Sequence, residues 1–168
     1  MKTIQMRRSI RSYTDQAIES EKIEKLLRAG MQAPSAINQQ PWEFLVVQDK
    51  KTLEALSLIS PYAHLAAKAS LAIIPMANDD RMIYSDHWQQ DLAAATENIL
   101  LEAVELGLGA VWLGVAPNEE RMQYVRDHFD LPPNLKPFCI ISIGYPAKGN
   151  ENKFVDRYDE TRVHYEKY

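Results

Sequence analysis

The chain has 168 residues, 46% hydrophobic and 25% charged, with a formal net charge of −4. This is the balance of an ordinary globular domain, and it excludes a disordered tail, a collagen-like rod and a membrane bundle. The acidic excess argues against a duplex nucleic-acid binder. One cysteine, Cys139, allows neither an internal disulfide nor a multi-cysteine zinc site, and a reducing, cytoplasmic setting is the simplest fit. Met1 to Arg11 is charged and lacks the apolar core of a signal peptide. No apolar run approaches the roughly 20 residues that span a bilayer. One domain over residues 1–168, soluble and without a membrane partner, is expected.

In chain order, Ser20 to Met31 begins with a capping residue and places Ile23, Leu26, Leu27 and Met31 at the helical period, with Pro34 closing it. Glu43–Gln48 is short, apolar and β-branched, a strand. Lys51–Leu58 reads as a short helix. Ser70–Met76 reads as a buried strand whose Pro75 places its end at a sheet edge. A long helix covers about Asp86–Leu106 and stops at Gly107 and Gly109. Ala110–Val115 is a strand, Asn118 caps a helix to about His128, and Phe138–Ile143 is the last strand. The strands carry no in/out alternation, so helices should cover both faces of the sheet.

The long helix is apolar on nearly all sides. Only Asp91, Asn98, Glu102 and Glu105 form a polar stripe. Two explanations stand: a central core helix, or one that also packs against a second copy of the chain. The polar, aromatic tail after Gly149 raises the same question, because its four aromatic side chains call for a docking surface.

Several segments carry chemistry. Arg7-Arg8-Ser9-Ile10-Arg11 suits an anion, above all phosphate. If extended, it aims Arg7, Ser9 and Arg11 the same way; if helical, Arg7 and Arg11 share a face. A solvated basic terminus is the plainer explanation. Ala33 to Trp42 is stiffened by Pro34 and Pro41, and Asn38 and Gln40 offer paired donors and acceptors to a heterocycle. A rigid turn beside a core tryptophan would look similar. Gly107 to Gly114 contains neither a dinucleotide fingerprint nor a Walker lysine, although its glycines can bare backbone N–H groups. His64, His87, His128 and His164 match no zinc spacing, and Cys139 inside an apolar strand is a small hydrophobe rather than a nucleophile.

Taken together, these segments resemble the nitroreductase family of flavin enzymes, in its short single-domain branch. The resemblance runs through Arg7 to Arg11, Pro34-Ser35-Ala36-x-Asn38-x-Gln40-Pro41-Trp42, Asp91 and Asn98, and Gly107-Leu108-Gly109-x-x-Trp112-Leu113-Gly114. It continues through Gly144-Tyr145-Pro146 and Arg157-Tyr158-Asp159-Glu160 to Val163-His164-Tyr165. It implies an α+β fold with a central mixed β-sheet flanked by helices, and an interlocked homodimer with FMN at the interface. It places Arg7 and Ser9 on the FMN phosphate and ribityl chain with Arg8 nearby, and Arg11 at the pyrimidine edge. Arg157 and Lys153 complete the phosphate site. Pro34, Ser35, Ala36 and Asn38, with Gln40 beside them, come from the partner chain. Leu113 and Gly114, following Trp112, line the ring and offer backbone contact near N5.

The resemblance further implies NAD(P)H as electron donor and a small-molecule acceptor such as a nitroaromatic or quinone, in a ping-pong cycle. No dedicated catalytic acid or base and no metal are expected. The 78–88 segment is expected to cover the pocket. Related branches that dehalogenate tyrosines or fragment flavin, a flavin-binding module without turnover, and a purely structural dimerisation protein are the alternatives.

Overall fold

The computed structural model describes residues 2–168; Met1, the first residue of the charged N-terminal stretch, lies outside the described residues. In chain order the elements are α1 (Lys2–Met6), α2 (Ser20–Met31), β1 (Trp42–Val47), α3 (Lys50–Leu56), β2 (Leu71–Asn78), α4 (Trp88–Glu105), β3 (Gly109–Gly114), α5 (Glu119–His128), β4 (Leu135–Pro137) and β5 (Cys139–Gly144). The helix and strand expectations hold within two or three residues. The short α1 and β4 were not legible in the sequence.

The strands form one sheet in the order β1-β2-β5-β3, with β4 also paired to β2. All pairings between these strands are antiparallel. The sheet is therefore mixed only through an isolated parallel bridge from Ser9 to Ala110. Along β2, Leu71 and Ile73 enter one core with α2 and α4, while Ala72 and Ile74 enter a second core with α3 and α5. Successive side chains point to opposite faces and both faces are covered, which is why the strands show no polar alternation.

Pro75 corrects the edge expectation. It lies in β2, which has β1 on one side and β4 and β5 on the other. Leu71–Ile73 pair with Ile143–Ile141, whereas Met76–Asn78 pair with Pro137–Leu135. The register steps between these two sets, and the proline nitrogen falls at that step, where no ladder bond needs it. Its carbonyl still accepts from the Phe138 N–H at 3.0 Å.

Helix ends follow local chemistry. Asn118 caps α5 by accepting from the Arg121 N–H at 2.9 Å. Ser20 does not cap α2, since the cap position is Glu19 and no side chain closes it. Gly107 (φ 74°) ends α4, with the Gly107 N–H on the Val104 carbonyl and the Leu108 N–H on the Ala103 carbonyl. In the single chain α4 buries Leu92, Ala95, Ile99, Leu100 and Ala103, while Ala93, Ala94, Leu101 and Val104 stay partly exposed.

Gly109 decides whether the N-terminal segment can lie on β3. A Cβ there would sit 2.5 Å from Ile10 Cγ2, and Ile10 is itself buried. Gly109→Ala is expected to destabilise the fold by about 1–3 kcal/mol through overpacking, read from a denaturant midpoint. A midpoint equal to the parent's would show that the Ile10 contact is slack.

Candidate functional site

Beyond α1, residues Arg7–Arg11 run extended beside β3, so the extended alternative is the one realised. The Ile10 N–H donates to the Ala110 carbonyl at 3.0 Å. Tyr13 fixes the ribbon from below: its hydroxyl lies 2.7 Å from the Ile10 carbonyl and 3.0 Å from the Ser142 carbonyl. Burial pushes this hydroxyl up to about 12, so it stays a donor at ordinary pH.

The tail returns to the same ribbon. The Arg8 N–H donates to Asn152 Oδ1 at 3.1 Å, Asn152 Nδ2 donates to the Leu108 carbonyl at 3.0 Å, and the Arg8 guanidinium reaches the Val155 carbonyl at 3.4 Å. This closure brings Arg157 toward Arg8 and Arg7. The Arg8 guanidinium is held below its ordinary range, first by burial and then by repulsion from Arg157 and Arg7. Its Nε is buried without a hydrogen-bond partner. Glu97, 3.3 Å from Arg7 Nε, is the one carboxylate paired with this cluster among the described residues. Three guanidinium groups sharing one counter-charge make a site for a multiply charged anion. Lys153 is exposed, and no hydrogen bond or ion pair among the described residues ties it to the cluster.

Strand β3 is an edge strand, and the ribbon covers only its first half. The amide and carbonyl of Ala110 face the ribbon. By the period of two, those of Trp112 and Gly114 face the same side, beyond the ribbon's reach. The Gly114 carbonyl accepts from Arg121 Nη1 at 3.0 Å, which leaves the Gly114 N–H facing the open edge. Leu113, between Trp112 and Gly114, is oriented differently. Its backbone faces β5 and its side chain is buried in the second core. Trp112 packs edge-on against Phe138, with ring centroids 5.2 Å apart.

The Ala33–Trp42 loop is shaped by unusual backbone. Ile37 (φ 46°), Asn38 (φ 59°) and Gln40 (φ 48°) all occupy the left-handed region, which is strained for a β-branched residue such as Ile37. Asp91, buried on α4, holds the turn. Its Oδ1 accepts from the Ala36 N–H at 2.8 Å and its Oδ2 from Gln39 Nε2 at 2.6 Å. Ser35 Oγ accepts from the Gln40 N–H at 3.0 Å, and Gln40 Nε2 donates to Asn38 Oδ1 at 3.3 Å. Pro34, Asn38 and Gln40 are exposed, while Ser35 and Ala36 are half-buried. Sequence reasoning passed over Gln39. The available signal was Asp91, a lone acid at the start of an apolar helix, which needed a donor nearby.

The two groups of residues lie on different sides of α4. The loop attaches at Asp91 and the arginine ribbon at Glu97. At 100° and 1.5 Å per residue these positions are roughly 120° apart around the helix and about 9 Å apart along it. Elsewhere, burial pushes the Cys139 thiol up to about 12, with Thr96 Oγ1 3.6 Å from its sulfur. No His/Cys/Asp/Glu group able to hold a metal occurs among the described residues.

The sequence pattern that defines the Nitroreductase family matches residues 4–89 and 61–145. The chain belongs to the nitroreductase family. An Archaeoglobus fulgidus relative, provisionally named an NADH dehydrogenase/NAD(P)H nitroreductase, is 46% identical over 172 residues, covering 100% of this chain and 98% of its own. A Clostridium acetobutylicum structure, provisionally described as an NADH oxidase, is 56% identical with a TM-score of 0.96 and covers 99% of each chain. A Clostridium difficile structure described as an FMN-dependent nitroreductase is 34% identical with a TM-score of 0.90, covering 99% of this chain and 98% of its own. This nitroreductase-family chain is thus matched over its whole length rather than over a fragment.

Two outcomes follow. Asp91→Asn turns one acceptor toward a donor and should destabilise the chain by about 1–3 kcal/mol, with the loss read by denaturation. An unchanged midpoint would mean that the loop does not need the carboxylate. The raised Cys139 thiol should resist a disulfide reagent at pH 8 in the folded protein and react once unfolded. Rapid reaction in the native state would contradict its burial.

Proposed function

We propose that the chain is an FMN-dependent NAD(P)H oxidoreductase, working over residues 1–168 as a homodimer in a reducing, cytoplasmic setting. It takes hydride from NAD(P)H and passes electrons to a nitroaromatic, quinone or similar acceptor in ping-pong order. The observation that carries this reading is the cluster of Arg7, Arg8 and Arg157, with the Arg8 Nε buried and unpartnered. A phosphate monoester fits that orphaned donor and the shortage of counter-charge. The names of the Clostridium difficile and Archaeoglobus fulgidus proteins support the same cofactor and donor.

FMN, when bound, supplies hydride acceptance and donation at its ring. The chain's residues supply the rest. Arg7, Arg8, Ser9 and Arg157 hold the phosphate end, with Lys153 near them. Arg11, exposed and bonded at 3.2 Å to the Ser9 carbonyl, places a fixed cation beside the ring's pyrimidine edge, where it stabilises negative charge. Gly114 offers its open N–H along the β3 edge, and Trp112 walls the same side.

The placement of Pro34, Ser35, Ala36, Asn38 and Gln40 on another side of α4 supports a contribution from a second copy to each site. The partly exposed apolar strip of α4 also supports dimer formation. So do Phe154 (57% exposed), Tyr158 (75%) and Tyr165 (82%), which find no cover in the single chain. No helix among the described residues is long and apolar enough to cross a membrane.

The test is the visible spectrum followed anaerobically after adding NADH and then NADPH. A flavin band that bleaches with one donor supports the reading, and a protein that takes up no FMN overturns it. A flavin band that neither donor bleaches would favour the specialised or non-catalytic alternatives. Arg157→Ala should weaken FMN binding roughly ten- to a hundredfold, the scale of one charge-assisted hydrogen bond, in a fluorescence titration. Retention equal to the parent's would remove Arg157 from the phosphate site.

A further inference from the structure

Gln39 uses every hydrogen-bonding group of its side chain, and all of them join separate segments. Its Nε2 donates to Asp91 Oδ2 at 2.6 Å and to the Tyr84 carbonyl at 3.2 Å. Its Oε1 accepts from the Ile83 N–H at 2.9 Å and the Tyr84 N–H at 3.0 Å. One side chain therefore ties together the 34–40 loop, the start of α4 and the 79–87 segment. The segment is itself built rather than slack. It contains two short 3-10 turns, Asp79–Arg81 and Ser85–His87. Arg81 pairs with Glu43 at 3.1 Å, Lys136 with Asp79 at 2.6 Å, and Asn134 donates to Asp80 at 2.6 Å. On this clamped backbone Ile83 and Tyr84 are held out 73% and 52% exposed. Large apolar side chains fixed in that way beside a cofactor loop call for an apolar ligand.

We propose that Gln39 is a positioning residue that locks the 79–87 segment to the 34–40 loop and so presents Ile83 and Tyr84 as a fixed wall for a flat aromatic acceptor. The inference rests on the FMN reading of that loop. It adds that the acceptor wall and the cofactor loop move as one unit, because the Ile83 and Tyr84 amides depend on the same amide group that reads Asp91.

The test uses the FMN-loaded protein and 1,4-naphthoquinone as acceptor. In Gln39→Leu, amide exchange at Ile83 and Tyr84 should rise about tenfold or more. The naphthoquinone KM should rise with it. Gln39→Glu gives a readout that a merely structural role would not move. It places a second carboxylate against Asp91, and the pair then shares a proton. Protection of Ile83 and Tyr84 should persist near pH 5 and be lost toward pH 8 as that proton leaves. The parent is followed over the same range as a control, because His87, edge-on to Tyr84 at 6.0 Å, and Asp79, Asp80, Arg81, Glu43 and Lys136 also face the segment.

Unchanged exchange and KM in Gln39→Leu with FMN still bound overturn the proposal, as does faster exchange with an unchanged KM. Tyr84→Ser tests the occupant of the wall. A higher naphthoquinone KM with the oligomeric state intact supports it, and a shift to monomer shows that the pair meets a second copy instead. A parent that takes up no FMN overturns the flavin reading itself, which is visible before any variant is made.

Discussion

The turn from Ile37 to Gln40 holds three non-glycine residues in the left-handed region, and such backbone persists only where its surroundings over-determine it. The Asp91 carboxylate is that constraint. It sits in the first turn of α4, buried, with one oxygen on the Ala36 amide and the other on Gln39. Leaving those donors unpaired would cost about as much as the strain they offset. Because α4 is also the central core helix, the loop inherits the rigidity of the core. The side of α4 to which it is bound then fixes where its exposed amides, Asn38 and Gln40, can point.

A second constraint is the half-covered edge of β3. Ile10 reaches Ala110 only because residue 109 is a glycine, and the ribbon then diverges before Trp112. One edge strand thus anchors the arginine ribbon and still leaves the Gly114 N–H open. Charge is arranged with similar economy: Arg7, Arg8 and Arg157 share Glu97 as their one carboxylate among the described residues, a set that an anionic ligand would complete. The 34–40 loop offers no such cation, in keeping with the proposed division between a phosphate end and a ring end.

Much of this was legible in the sequence because its causes are local. The apolar runs of β2 and β5 declare strands covered on both faces. Asn118 caps α5 and Gly107 ends α4 by nearest-neighbour chemistry. The arginine and proline-amide motifs carry the family resemblance by order and spacing. What escaped depends on distant partners. Gln39 looks like one amide among three, and only Asp91, 52 residues away, makes it a hub. Pro75 reads as an edge residue because the register step beside it is set by β4 and β5. The orientations of Trp112, Leu113 and Gly114 follow from the period of two only once Ala110 is known to face the ribbon.

The claim on which the account turns is that each flavin site is built from two copies of the chain, arginines from one and loop from the other. Co-expression of two defective chains tests it most directly. One chain carries Arg7→Ala with Arg157→Ala, and the other carries Asn38→Asp with Gln40→Glu, which keep side-chain shape but add negative charge to the loop. Each should lose FMN as a homodimer. In the mixed dimer one site collects both defects and the other collects none, so the account predicts recovery of about one FMN per dimer. Mixed dimers that hold no FMN, although both chains fold and pair, would place the whole site within a single chain and contradict it.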